Sequence, residues 1–111
     1  MTAGDGKDPG IDVGEKDGVR VVTVRGEIDL ASSPLLRTAL LRTIAGSSGS
    51  VAVDLRDVKY MDSSGVATLV EGLRACSRKK IKLLLIAVSK PVRNVLQLTR
   101  LDSVFELRES L

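Results

Sequence analysis

The sequence contains no histidine, and its only aromatic residues are one tyrosine and one phenylalanine. The absence of histidine excludes a Ser-His-Asp triad, a Cys-His pair and any metal site built on imidazole. The scarcity of aromatic rings argues against stacking on single-stranded nucleic acid. A Walker-type glycine loop is also missing. We therefore expect no catalytic residues, no metal, no cofactor and no direct binding of nucleic acid.

Cysteine and long apolar runs are equally scarce. The single cysteine, Cys76, cannot form an internal disulfide, and it falls near the apolar stripe of a predicted helix, so we expect a buried, unreactive thiol. No apolar run approaches the roughly 18–20 residues of a membrane helix. The first ten residues lack the apolar core of a secretory signal. These features predict a cytoplasmic protein that does not insert into a membrane.

Charged residues are present but unevenly placed. The net charge is +3, and residues 74–100 include eight Lys or Arg and no Asp or Glu. This basic segment is either a set of solvated faces around a buried strand or a surface that meets an acidic partner or anionic lipid.

Strand and helix patterns alternate along the 111 residues, which suffice for one domain. Residues 1–10 predict a flexible tail and residues 11–111 a single folded domain. Strands are predicted at 11–15, 19–25, 51–55, 81–88 and about 104–107. Helices are predicted to begin at Ser33, as the N-cap followed by Pro34, at about Ser64, and at Ser89, followed by Pro91 in the first turn. The alternation implies β-α-β crossovers and a mostly parallel sheet, after a hairpin at Asp17-Gly18. The pattern leaves open whether the helices lie on one face or both.

The sequence Asp62-Ser63-Ser64-Gly65 stands where a buried strand gives way to an amphipathic helix. Backbone N–H groups at a helix N-terminus are unpaired and favour negative charge. A serine hydroxyl there can cap the helix, hold an anion or become phosphorylated. Gly65 permits either close approach of a partner or tight packing on the preceding strand. The segment Gly26–Leu30 also follows a strand, so we expect both segments to form one surface at the carboxyl ends of the sheet.

The order of these motifs resembles that of a known family. The sequence resembles the STAS domain, and more narrowly the bacterial anti-sigma factor antagonists. The resemblance rests on this order of elements: a hairpin, Gly-Glu-Ile-Asp-Leu, a helix, Val-Asp-Leu…Tyr-Met-Asp-Ser-Ser-Gly-Val, a basic strand and a Pro-Val-Arg helix. The resemblance covers about residues 11–108. It implies an α/β fold: a small, mixed but mostly parallel sheet of four to five strands, with an antiparallel first strand and the helices mainly on one face.

The resemblance also implies a function. The unphosphorylated antagonist binds an anti-sigma factor that is also a serine/threonine kinase, and the sigma factor is released. The kinase phosphorylates the serine directly after the aspartate, here Ser63, which ends binding, and a PPM-type phosphatase reverses the modification. Such a protein is not an enzyme. The positions that match the family's partner-binding surface are Glu27, Asp29, Leu30, Asp62, Ser63, Ser64 and Gly65.

Other interpretations remain open from the residues alone. Ser63 and Ser64 can be plain helix caps, and Asp29 can be a solvent-exposed loop residue or a cap for the first helix. A STAS subunit of a lipid-transport ABC complex or of a stressosome-like assembly is the main alternative function, and the basic segment keeps it open. A serine hydrolase would need a base, for which Lys59 is the only close candidate.

Overall fold

The computed structural model describes residues 9–111, within which five strands and three helices follow one another in the predicted order. The strands are β1 (Gly10–Lys16), β2 (Val19–Ile28), β3 (Val51–Met61), β4 (Leu83–Ile86) and β5 (Glu106–Arg108), and the helices are α1 (Ser33–Ala45), α2 (Ser63–Lys79) and α3 (Lys90–Leu98). This confirms the mixed α/β class. Residues 1–8 of the predicted tail lie outside the described residues.

The strands form one sheet in the order β1-β2-β3-β4-β5. β1 pairs antiparallel with β2, and the other neighbours pair parallel, each connected through one helix. Asp17 and Gly18 both have positive φ, at 54° and 81°, as a two-residue hairpin turn of type I′ requires. The hairpin and the parallel crossovers are therefore as the sequence predicts.

The main hydrophobic core lies on one face of the sheet and draws on all three helices. Its fully buried members include Leu40 of α1, Leu69 of α2 and Leu96 of α3, packed over Val22 and Val53. A smaller cluster on the opposite face contains strand residues and Ala87, which directly follows β4. The helices therefore cover one face, which settles the question that the periodicity left open.

Several predicted boundaries were wrong. β2 does not leave the sheet at Gly26 but continues to Ile28, and β3 runs to Met61 instead of ending at Leu55. Both extensions involve β-bulges: the β2–β3 register shifts twice, and Gly26 has a φ of 90°. β4 is shorter than predicted, because only residues 83–86 pair with neighbouring strands.

The start of α1 also differs from the prediction. Ser32, not Ser33, is the N-cap residue, and its hydroxyl makes no capping bond to the helix. Pro34 is consequently the second residue of the helix. Within residues 9–111, no helix is both long and apolar enough to cross a membrane.

Candidate functional site

Two segments that follow neighbouring strands lie side by side at one edge of the sheet. β2 and β3 are parallel, and their last residues, Ile28 and Met61, are paired in register. The backbone N–H of Asp62 also donates to the carbonyl oxygen of Ile28 at 3.1 Å. The structure therefore brings the segment after β2 and the Asp62–Gly65 box together at the carboxyl end of the sheet, as the sequence predicts.

Asp62, and neither serine, caps α2. Its carboxylate Oδ1 accepts from the Ser64 backbone N–H at 2.9 Å and from the Ser64 hydroxyl at 2.5 Å. Ser64 is half-buried, whereas Ser63 is exposed. Among the bonds formed within residues 9–111, none involves the Ser63 hydroxyl. The two serines therefore differ: Ser64 is held in the cap, and Ser63 presents its hydroxyl to solvent.

Gly65 lies buried in the first turn of α2, directly over the ends of β2 and β3. A Cβ atom built on Gly65 would lie 2.5 Å from Met61 Cγ and 2.9 Å from Ile28 Cγ2. Both distances are far below an ordinary carbon–carbon contact. Of the two explanations for this glycine, the structure supports tight packing on the preceding strand.

The turn between β2 and α1 is organised by Asp29. Its Oδ1 accepts from the backbone N–H groups of Ala31 and Ser32 and from the Ser32 hydroxyl, each at 3.0 Å. The hydroxyl of Ser32 also lies 3.0 Å from the carbonyl oxygen of Glu27 and accepts from the Asp29 N–H at 2.8 Å. The bond from the Ser32 side chain, followed by the backbone N–H groups, lowers the pKa of Asp29. Asp29 thus fixes the conformation of this turn and does not cap α1.

Exposed apolar side chains border the same edge. Leu30 is 79% exposed at the tip of the Asp29 turn, and Tyr60 is 48% exposed near the end of β3. Tyr60 pairs in register with Glu27 across the two strands, so their side chains project from the same face of the sheet. Sequence reasoning found Glu27 and Leu30 but missed Tyr60, because β3 was predicted to end before it.

Ser32 was also missed. The signal was present as Asp29-Leu30-Ala31-Ser32, since aspartate commonly closes a turn by accepting from N–H groups two and three residues later.

The edge also contains three carboxylates, from Glu27, Asp29 and Asp62. Within the part of the chain that the structure describes, no group of three His, Cys, Asp or Glu side chains is placed to hold a metal.

The basic end of α2 lies away from this edge, whereas Lys90 and Arg93 belong to α3, which follows the carboxyl end of β4. α2 has 17 residues, so Arg78 and Lys79 at its far end stand about 20–25 Å from Ser63 at 1.5 Å per residue. Lys79 Nζ donates to the carbonyl oxygens of Ile44, Ala45 and Ser47 at 2.6–3.0 Å. At least one cation of the basic segment therefore stabilises the end of α1.

Cys76 is buried, as the sequence predicts. Burial raises the pKa of its thiol above the usual value. A raised pKa keeps the thiol protonated at neutral pH, so the group is a poor nucleophile.

The chain is similar to known proteins of one family. The model of the STAS domain matches residues 10–111. A relative named "Anti-sigma-B factor antagonist" from Staphylococcus epidermidis is 30% identical over 88 residues, which cover 79% of this chain and 82% of the relative. A protein of the same name from Bacillus subtilis (strain 168) is 28% identical over 97 residues, covering 87% and 88%.

A solved structure is similar over the whole chain. The crystal structure of an anti-sigma factor antagonist from Mycobacterium paratuberculosis superposes with a TM-score of 0.79 at 28% identity, and the match covers 100% of this chain and 92% of the other.

Proposed function

The chain belongs to the STAS domain family, and on this premise we propose that it is an anti-sigma factor antagonist. In this proposal the unphosphorylated protein binds an anti-sigma factor with serine/threonine kinase activity, and the sigma factor is released. Phosphorylation of Ser63 ends the binding, and a PPM-type phosphatase restores it. The protein acts by binding rather than by catalysis, in the cytoplasm where its partners work.

The difference between the two serines of the box is the observation that supports this proposal most. Ser63 is exposed at the first position of α2, and its hydroxyl is not engaged within residues 9–111. The Ser64 hydroxyl is bonded to the Asp62 carboxylate at 2.5 Å and is half-buried. A kinase that approaches from solvent would therefore meet Ser63 as the available acceptor.

The fold should tolerate a phosphate on Ser63. A phosphoserine carries about −1.5 to −2 charges at pH 7, and the N-terminus of a helix favours negative charge. Ser63 is also exposed, so the phosphate needs no room in the core. Modification should consequently leave the stability of the domain nearly unchanged and act on the complex instead.

The partner would dock on the edge that carries Glu27, Asp29, Leu30 and the Asp62–Gly65 box. Leu30 and Tyr60 supply exposed apolar contact area, and the turn that Asp29 closes holds Leu30 in place. A phosphate at the centre of this surface adds bulk and an unpaired charge, which costs several kcal/mol in an interface. Since about 1.4 kcal/mol is a factor of ten in affinity, a hundredfold loss of binding is a reasonable expectation.

Phosphosite mapping is the first test. The purified protein is incubated with the cognate kinase and ATP, and the modified residue is located by mass spectrometry, with Ser63→Ala and Ser64→Ala as a matched pair. We expect one phosphate on Ser63, retained in Ser64→Ala and lost in Ser63→Ala. Modification of Ser64, or of the Ser47-Ser48 loop with Ser63 unmodified, would contradict the proposal.

Binding titrations complete the test. Ser63→Asp should lose at least tenfold in affinity while melting within a few degrees of wild type, and Ser63→Ala should bind normally and resist inactivation. Arg78→Ala and Lys80→Ala serve as controls far from the box. If these controls lose binding and Ser63→Asp keeps it, the partner uses the basic end. That outcome would favour a STAS subunit of a lipid-transport complex or a stressosome-like assembly.

A further inference from the structure

A polar pocket lies at the end of the sheet opposite to the Ser63 site. It has a volume of about 160 Å³ and is lined by the β1–β2 hairpin, through Glu15, Gly18 and Arg20, and by the loop at residues 46–50, Gly-Ser-Ser-Gly-Ser. This loop connects α1 to β3. The proposed function assigns no role to the pocket.

Three successive backbone N–H groups in the loop have no acceptor within residues 9–111. Gly46 and Ser47 donate to the carbonyl oxygens of Arg42 and Ile44, whereas no such bond is formed by Ser48, Gly49 or Ser50. All three of the latter line the pocket. Successive unpaired N–H groups in a turn can bind an anion when their dipoles point to it.

Arg20 adds a full positive charge to the same pocket. Its guanidinium lies close to the loop, with Nη1 only 3.3 Å from where a Cβ on Gly46 would stand, so glycine leaves room for it. The ion pairs formed among the described residues do not include Arg20.

The end of α1 does not require this arginine either. Its last carbonyl groups already accept hydrogen bonds from Gly46 N–H, Ser47 N–H, Ser47 Oγ and Lys79 Nζ. The guanidinium of Arg20 is therefore available to an external acceptor.

We propose that this pocket binds a small tetrahedral oxyanion of the phosphate class. Arg20 would pair with two of its oxygens, a geometry that suits the planar guanidinium. The loop N–H groups and the hydroxyls of Ser48 and Ser50 would hold the others. Glu15 lies opposite Arg20 in the β1–β2 register and lines the same pocket, so its carboxylate opposes the anion and limits the affinity.

The size of the pocket restricts the ligand. A volume of about 160 Å³ accommodates one phosphate and a few waters, but pockets for drug-sized ligands are about 300–1,000 Å³. The ligand is therefore the free ion or the phosphate group of a phosphomonoester, and not a whole nucleotide. The pocket lies at the far end of α2 from Ser63, so this inference stands or falls independently of the proposed phosphorylation switch.

The test is a titration of ¹⁵N-labelled protein with sodium phosphate at constant ionic strength, followed by NMR. We expect saturable shifts of the Ser48, Gly49 and Ser50 amides and of the Arg20 Nε–H signal. Arg20→Ala should weaken binding at least tenfold, since charge-assisted bonds are the strong ones, and Arg20→Lys should weaken it less. Glu15→Gln should strengthen it. Arg42→Ala, which removes an exposed cation from the last turn of α1, is the matched control and should bind as wild type does.

A parallel titration with O-phosphoserine identifies the source of the ligand. Binding of both ligands at the loop indicates a site for phosphomonoesters, and binding of phosphate alone indicates a site for the free ion. Shifts that sodium chloride reproduces, that survive Arg20→Ala, or that are confined to residues 64–66 at the start of α2 would overturn the proposal.

Discussion

Replacing Gly65 by alanine should destabilise the domain without weakening the contact with its partner. The added Cβ would lie 2.5 Å from Met61 Cγ, 3.0 Å from Met61 Sδ and 2.9 Å from Ile28 Cγ2. Ile28 is fully buried and β-branched, so its methyl group cannot move aside without disturbing the core. Overpacking of this kind costs about 1–3 kcal/mol, and the better helix propensity of alanine returns at most about 1 kcal/mol.

The net loss is therefore expected to be about 1–2 kcal/mol. For a domain near 100 residues, each 1 kcal/mol lowers the melting temperature by about 4–8 °C. Urea denaturation would measure the free energy of unfolding, and a binding titration on the same samples would measure partner affinity. Gly72→Ala is the matched control, because its Cβ would crowd buried Leu40 Cδ2 at 2.6 Å, away from the box, so it should also lower stability and leave partner affinity unchanged.

A double mutant identifies the contact that is responsible. Met61→Ala removes the Cγ and Sδ atoms that crowd position 65, so Met61→Ala with Gly65→Ala should be less destabilised than the sum of the two single changes. If Gly65→Ala is as stable as wild type but binds its partner poorly, the reasoning is refuted. The glycine would then serve close approach of the partner, the other explanation that its position allows.

Two further changes test the two aspartates of the site, Asp62 in the cap of α2 and Asp29 in the turn before α1. Asp62→Ala should lower the free energy of unfolding by about 1 kcal/mol, because a helix cap is lost. It should also release the Ser64 hydroxyl, so that phosphate on Ser64 becomes detectable in the kinase assay. An unchanged modification pattern would contradict the argument from the cap. Asp29→Ala should reduce stability at neutral pH and also weaken partner binding. Because the pKa of Asp29 is lowered in the folded protein, its stabilising effect is present above its unfolded value, near the reference 3.8, and is lost as the pH falls through the folded pKa. Melting curves of wild type and Asp29→Ala should therefore converge below about pH 4, and a constant difference from pH 7 to pH 3 would contradict this.

The order of the elements could be predicted because the apolar residues of each short segment recur with the period of a helix or of a strand. The helical stripe of α2 and the Asp17-Gly18 turn need no tertiary information. The second half of β3 could not be recognised, because burial there falls on Leu55, Val58 and Met61 instead of on alternate residues. Two register shifts against β2 account for this spacing, since each bulge adds a residue to β3. A three-residue period does not indicate a strand, so the predicted strand ended at Leu55.

The candidate site could be located from sequence but not resolved into roles. The Asp62–Gly65 box and Asp29 were identified as positions, since both follow buried strands. Which serine is bonded to Asp62, however, depends on the dihedral angles of the cap. From the sequence alone, either of the two adjacent hydroxyls could bond to the Asp62 carboxylate. Ser32 was overlooked for a similar reason: its contacts with Asp29 and Glu27 exist only once the turn is closed.

The bulges in β3 determine where the serine stands. The offset between paired residues grows from 31 at Arg20–Val51 to 33 at Ile28–Met61. Without the two additional residues, Ile28 would pair two residues earlier in β3, and Asp62 would lie about 7 Å farther out, at about 3.3 Å per strand residue. The two bulges that made β3 hard to recognise from sequence therefore also place Ser63 at the edge where β2 ends. Ser63 and the Asp29 turn can therefore contact one partner surface together.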